Sequence, residues 1–113
     1  MLDALWSVRF ISNSMSTGAG VIIIKNGKIV GGDSQYYYIG ELTLTDDIVN
    51  AEVTATIHTR IPGLESVFGQ IDSFVLGLSG KAKPKEINLT GTMLGSPTAT
   101  INIVCTRLTD LPF

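Results

Sequence analysis

The sequence predicts an all-β domain, an eight-stranded antiparallel up-and-down barrel, on three observations. Apolar and β-branched residues alternate with polar ones at a period of two, which gives each segment one core-facing and one wet side. Gly, Asn, Asp and Pro interrupt these segments about every 8–12 residues, the spacing of strands in sandwiches and barrels. The connections are short, so sequential strands pair, and closing the sheet removes the exposed edges it would otherwise carry. A two-sheet sandwich is the alternative architecture.

Taken in order, the first segment places Ala4, Trp6, Val8 and Phe10 on one face. Val21-Ile22-Ile23-Ile24-Lys25 and Lys28-Ile29-Val30 flank Asn26-Gly27, a pair that tolerates the positive φ angles of a two-residue type I′ hairpin. Gly31-Gly32-Asp33-Ser34 turns into an aromatic and β-branched strand from Tyr36 to Leu44. The polar turn Thr45-Asp46-Asp47 leads into a long strand from Ile48 to Thr59. Its odd positions Val49, Ala51, Val53, Ala55 and Ile57 face a core, and Asn50, Glu52, Thr54, Thr56 and His58 face water. Pro62 to Gly69 is the one segment that fits a short helical turn, with Pro near its start and Gly at its end. Alternation resumes in Phe74, Leu76 and Leu78, then in Ile87, Leu89, Gly91 and Met93, and last in Ala99, Ile101, Ile103 and Cys105. Gly40, Gly77, Gly80 and Gly91 fall inside strands, where they mark barrel corners or bulges.

Residues 1–113 form one domain, long enough to bury roughly two-thirds of the unfolded surface around a single core. An apolar fraction of 44% with 16% charged residues is the composition of a packed, ordered globule. The net charge is −2 and the basic residues are scattered, so a phosphate-binding stripe is missing and nucleic acid is not an expected partner. Asp3 and Arg9 interrupt the N-terminal apolar stretch too early for a signal peptide, and no run reaches the roughly 18 apolar residues of a transmembrane helix. A soluble protein of the cytoplasm, with no membrane partner, is the expectation, and the lone Cys105 conforms to a reducing compartment.

One His and one Cys leave zinc without a ligand set at any recognisable spacing, so no metal is expected. His58 reads as a surface residue and Cys105 as a packing thiol. The strained Gly-x-Ser-x-Gly turn of a hydrolase is missing. Gly18-Ala19-Gly20 lacks the third glycine and following helix of a dinucleotide fingerprint, and Gly80-Lys81 lacks the upstream glycine of a P-loop. With no nucleophile, base and orienting group to place together, the chain is expected to be no enzyme and to use no cofactor.

Trp6-Ser7-Val8-Arg9-Phe10, Ser12-Asn13, Gly18-Ala19-Gly20-Val21, Lys25-Asn26-Gly27-Lys28, Gly31-Gly32-Asp33 and Tyr36-x-Tyr38-x-Gly40 follow one another in an order that resembles the GrlR-type negative regulators of bacterial type III secretion. The resemblance runs through the first half of the chain; the second half matches as a strand pattern. It implies a lipocalin-like barrel that dimerises and represses by binding a transcriptional activator protein rather than DNA. Where the family's repressors carry a longer acidic run in a surface turn, this sequence holds Asp46 and Asp47, which the resemblance makes the partner-binding residues.

Two function classes stand side by side. The first is a regulatory interaction protein that sequesters an activator, with Asp46 and Asp47 in the contact surface. The second is a small hydrophobic-ligand-binding barrel whose lumen is lined by Trp6, Phe10, Tyr36, Tyr38, Phe74 and Leu76, set against the filled core usual in a barrel this small. On the outward phase Tyr37, Ile39, Val75 and Val104 are apolar, and a contiguous patch of them is expected to serve a homodimer.

Overall fold

A computed structural model describes residues 2–63 and 71–113. The described residues form β1 (Ala4–Ser12), β2 (Thr17–Lys25), β3 (Lys28–Gly32), β4 (Tyr36–Thr45), β5 (Ile48–Ile57), β6 (Ser73–Ala82), β7 (Glu86–Met93) and β8 (Ser96–Thr109). Each strand pairs antiparallel with the next, and β8 returns to β1, so the sheet closes as an up-and-down barrel. The predicted fold is the observed one.

Local chemistry sets the turns. Lys25 pairs with Lys28, and Asn26 and Gly27 between them have φ of 52° and 75°, the two positive angles of the expected hairpin. Thr45 pairs with Ile48 around Asp46-Asp47, where Asp46 is left-handed at φ 57°. The alternation then fixes the faces. Trp6, Ile24, Ile29, Val49, Leu78, Ile87, Ile101 and Cys105 are buried on the inner side of seven of the strands. Gly80 and Gly91 sit where strands approach closely: a Cβ at either would overlap the carbonyl of Asn88 or Gly77 respectively.

Two boundaries differ from the sequence expectation. The long strand ends at Ile57 rather than Thr59, because the His58 and Thr59 amides leave the ladder and donate to the Gln35 carbonyl at 2.7 and 3.2 Å. The last strand is longer than its alternating core, reaching from Ser96 to Thr109 through a register shift opposite Thr92/Met93. Of the helical turn expected over 62–69, Pro62 and Gly63 form a turn and the remainder lies outside the described residues. Among the described residues no helix is long and apolar enough to cross a membrane.

The two ends of the barrel are unlike. At the end that carries the β2–β3 and β4–β5 turns, Trp6 is wholly buried and its Nε1 donates to the Leu2 carbonyl at 2.9 Å. Arg107 stacks over the indole at 5.7 Å and donates to the Asp3 carbonyl at 3.1 Å, which ties both chain ends across that opening. The other end carries the β1–β2, β3–β4 and β7–β8 turns.

Candidate ligand-binding lumen

The barrel is not filled. The inner row of β5 consists of Val49, Ala51, Val53 and Ala55, and side chains this short leave space that the longer ones opposite do not cross. A cavity of about 160 Å³ results, running from Val49, Ile87 and Cys105 near the plugged end to Thr17, Ala19 and Ser34, all exposed, at the other. Its wall is aliphatic and aromatic over most of its depth.

Of the six residues expected to line the lumen, Phe10, Tyr36, Tyr38, Phe74 and Leu76 do. Trp6 does not: it faces inward as its phase requires, but its indole is wholly buried against the Leu2 carbonyl and Arg107 at the plugged end instead of bordering the cavity. Tyr36 and Phe74 pack as a tilted pair, with ring centroids 5.6 Å apart. The Tyr36 hydroxyl donates to the Ile71 carbonyl.

The mouth holds polar groups that the alternation pattern missed. Asp33 and Gln35, from the β3–β4 turn, line the cavity beside Ser34. The Asp33 carboxylate builds its own turn: Oδ1 accepts from the backbone amides of Gln35 and Tyr36 at 2.9 and 2.8 Å, and Oδ2 accepts from the Tyr38 hydroxyl. Burial pushes the Tyr38 hydroxyl well above its ordinary range, and the hydrogen bond to Asp33 and that residue's negative charge push it the same way. His58 is exposed, as expected, and clasps the turn from outside. Its Nε2 donates to the Asp33 carbonyl at 3.0 Å, a tautomer that leaves Nδ1 to accept from Thr59 Oγ1 at 2.7 Å. Gln35 is buried, and its Oε1 accepts from the Ile61 amide at 3.3 Å.

Cys105 lies deep in the wall, and burial pushes its thiol up to about 12, so the neutral form is the one present near neutral pH. Among the described residues no three His, Cys, Asp or Glu side chains group as metal ligands.

The remaining predicted residues fall on the outside. Asp46 and Asp47 are exposed in the β4–β5 turn at the plugged end, and the Asp47 carbonyl accepts from the Ala82 amide at 2.8 Å. On the barrel wall Ile39 pairs with Val30 on one side and Thr54 on the other, and Thr54 pairs with Val75. Val30 continues the row to Ile23 and Leu5. Tyr37 stands beside this row, with Gly32 as its β3 neighbour and Val21 beyond. Val104 is a correction to the expected patch: its neighbours across β1 and β7 are Arg9 and Asn88, on a different side of the barrel. Phase alone put it outward; only closure decides which outward residues are neighbours.

No family model matches this chain, and no curated protein matches it. A solved structure of a redesigned β barrel superposes on it with a TM-score of 0.68, covering 95% of this chain and 91% of that one at 16% sequence identity. The likeness is one of fold.

Proposed function

We propose that this chain is a non-catalytic binding protein that holds a small apolar molecule in its lumen. The observation that carries the reading is the unfilled, largely apolar cavity of about 160 Å³ that reaches the surface beside Ser34. Empty apolar cavities of about 150 Å³ take up benzene-sized molecules, so the volume suits a single ring or a short alkyl chain. The raised thiol of Cys105 and the engagement of both His58 ring nitrogens support binding rather than nucleophilic chemistry. Titration with benzene and toluene, followed by backbone amide shifts, is expected to move residues along the inner rows of β5 and β6. Ala51→Leu should fill the space and abolish those shifts at an equal or higher urea midpoint. Absent shifts in the wild type, or equal shifts in the variant, would rule the lumen out as a binding site.

A second reading is favoured by the exposure of Asp46 and Asp47 on a tight turn far from the mouth. Together with the resemblance to GrlR-type regulators, it supports a cytoplasmic repressor that sequesters a transcriptional activator through this turn, the two activities occupying opposite ends of one barrel. Asp46→Asn with Asp47→Asn keeps the shape and removes the charge. It should weaken capture of a basic activator at low salt, with the difference closing as ionic strength rises. Equal capture at every salt concentration would discard the turn as the contact. The exposed Val30 and Ile39, side by side on β3 and β4 with Tyr37 next to them, support a homodimer in which two copies bury this part of the wall against each other.

A further inference from the structure

We infer that the lumen selects a molecule with a cationic head, an alkyl or arylalkyl ammonium compound whose apolar body fills the barrel and whose head rests on Asp33. The inference rests on the lumen reading and adds the chemistry of the ligand's polar end. Among the described residues Asp33 is the one charged side chain that lines the cavity, and neither Lys nor Arg lines it. None of the ion pairs among the described residues includes Asp33; those pairs join Lys28 to Glu41, Arg60 to Asp72 and Arg107 to Asp110. The turn it builds needs an acceptor oxygen but no charge, since the groups it serves are backbone amides and a hydroxyl. A half-buried carboxylate at an apolar opening therefore has no ion-pair partner among the described residues.

The same end is lined by Phe10, Tyr36, Tyr38 and Phe74. Aromatic faces attract ammonium groups, and a carboxylate beside them adds a charge-assisted hydrogen bond. The Tyr38 hydroxyl keeps its proton and directs it at Asp33, which leaves the hydroxyl oxygen free to accept from the same head. Oδ2 of Asp33, with one bond accepted there, has a second acceptor site. A carboxylate-headed ligand meets the like charge of Asp33 and, among the described residues, no Lys or Arg in the wall, with only the neutral donors of Thr17, Ser34 and Gln35 to receive it.

Calorimetry at pH 7.5 with octylamine, octan-1-ol and octanoate, each below its aggregation concentration, separates the possibilities on the intact chain. The amine is expected to bind about tenfold more tightly than the alcohol, and octanoate more weakly than either. Asp33→Asn retains the Oδ1 acceptor of the turn and should bring the amine to the affinity of the alcohol. Ser34→Lys leaves Asp33 in place, adds a cation at the mouth and should reverse the preference towards octanoate. Asp46→Asn with Asp47→Asn, at the far end of the barrel, should leave the preference intact, which separates the local charge from the net charge of the chain. Equal binding of the three heads, or a preference unchanged in Asp33→Asn, overturns the inference and leaves the lumen reading standing. Failure of all three to bind overturns the inference, and together with unmoved amides in the benzene and toluene titrations it overturns the lumen reading as well.

Discussion

Single residues in this barrel act mainly through what they do to polar groups at its two ends. Asp33 satisfies two amides and a hydroxyl with one carboxylate. Asp33→Ala leaves those donors in a partly buried turn, and is expected to cost about 1–3 kcal/mol, against a much smaller loss in Asp33→Asn. Paired urea titrations check the difference. Cys105 gives a pH effect with a definite sign. Its pKa rises from an ordinary 9.0 to about 12 in the folded chain, so between those values the unfolded state has lost a proton that the folded state keeps. Its contribution is fully present below pH 9.0 and declines above it, with a slope approaching about 1.4 kcal/mol per pH unit. Tyr38 adds a decline of the same sign only above its ordinary 10.0. Cys105→Val should therefore flatten the urea midpoint between pH 9 and 10, and an equally steep decline in that variant would assign the slope elsewhere.

At the scale of elements, the turns decide register and the glycines decide how closely strands approach. Gly27 at φ 75° and Asp46 at φ 57° occupy the same left-handed region with opposite suitability. Gly27→Val should destabilise by about 1–2 kcal/mol because a β-branched side chain is strained there. Asp46→Gly should be neutral or stabilising by up to about 1 kcal/mol, since it relieves that strain. Thermal unfolding of the two variants in parallel tests the assignment, and the same sign for both would contradict it. The strand from Ile48 to Ile57 has a further consequence. Its Val and Ala inner row makes β5 a thin side of the barrel wall, and this row lines the lumen along much of its length.

For the whole molecule, closure determines which surface residues become neighbours. Leu5, Ile23, Val30, Ile39 and Val75 come from five strands yet form one lateral row broken by Thr54. Ile39 is 53% exposed and Val30 43%, so the middle of the row is open to water. Light scattering at high micromolar concentration is expected to report a dimer, and Ile39→Lys a monomer of unchanged urea midpoint. Val104→Lys, on the other side of the wall, should leave the dimer intact. A wild-type monomer at that concentration would remove the dimer.

The inside and outside of each strand, the type I′ hairpin and the all-β class were legible in the sequence because they depend on contacts one or two residues apart: alternation, Asn26-Gly27, and the spacing of turns. Five of the six lumen residues followed from the same alternation. How far along the barrel axis each inward residue lies depends on strand tilt and stagger, which no local pattern encodes, so alternation predicts Trp6 in the lumen whereas its indole packs at the plugged end. Asp33 read as a turn former, and its turn role is local chemistry; that its carboxylate also borders an apolar cavity depends on Tyr38, Phe74 and Ala55 arriving from three other strands or strand positions. Val104 and Ile39 share a phase but not a side, because neighbourhood around a closed sheet is set by strand order and register rather than by sequence distance.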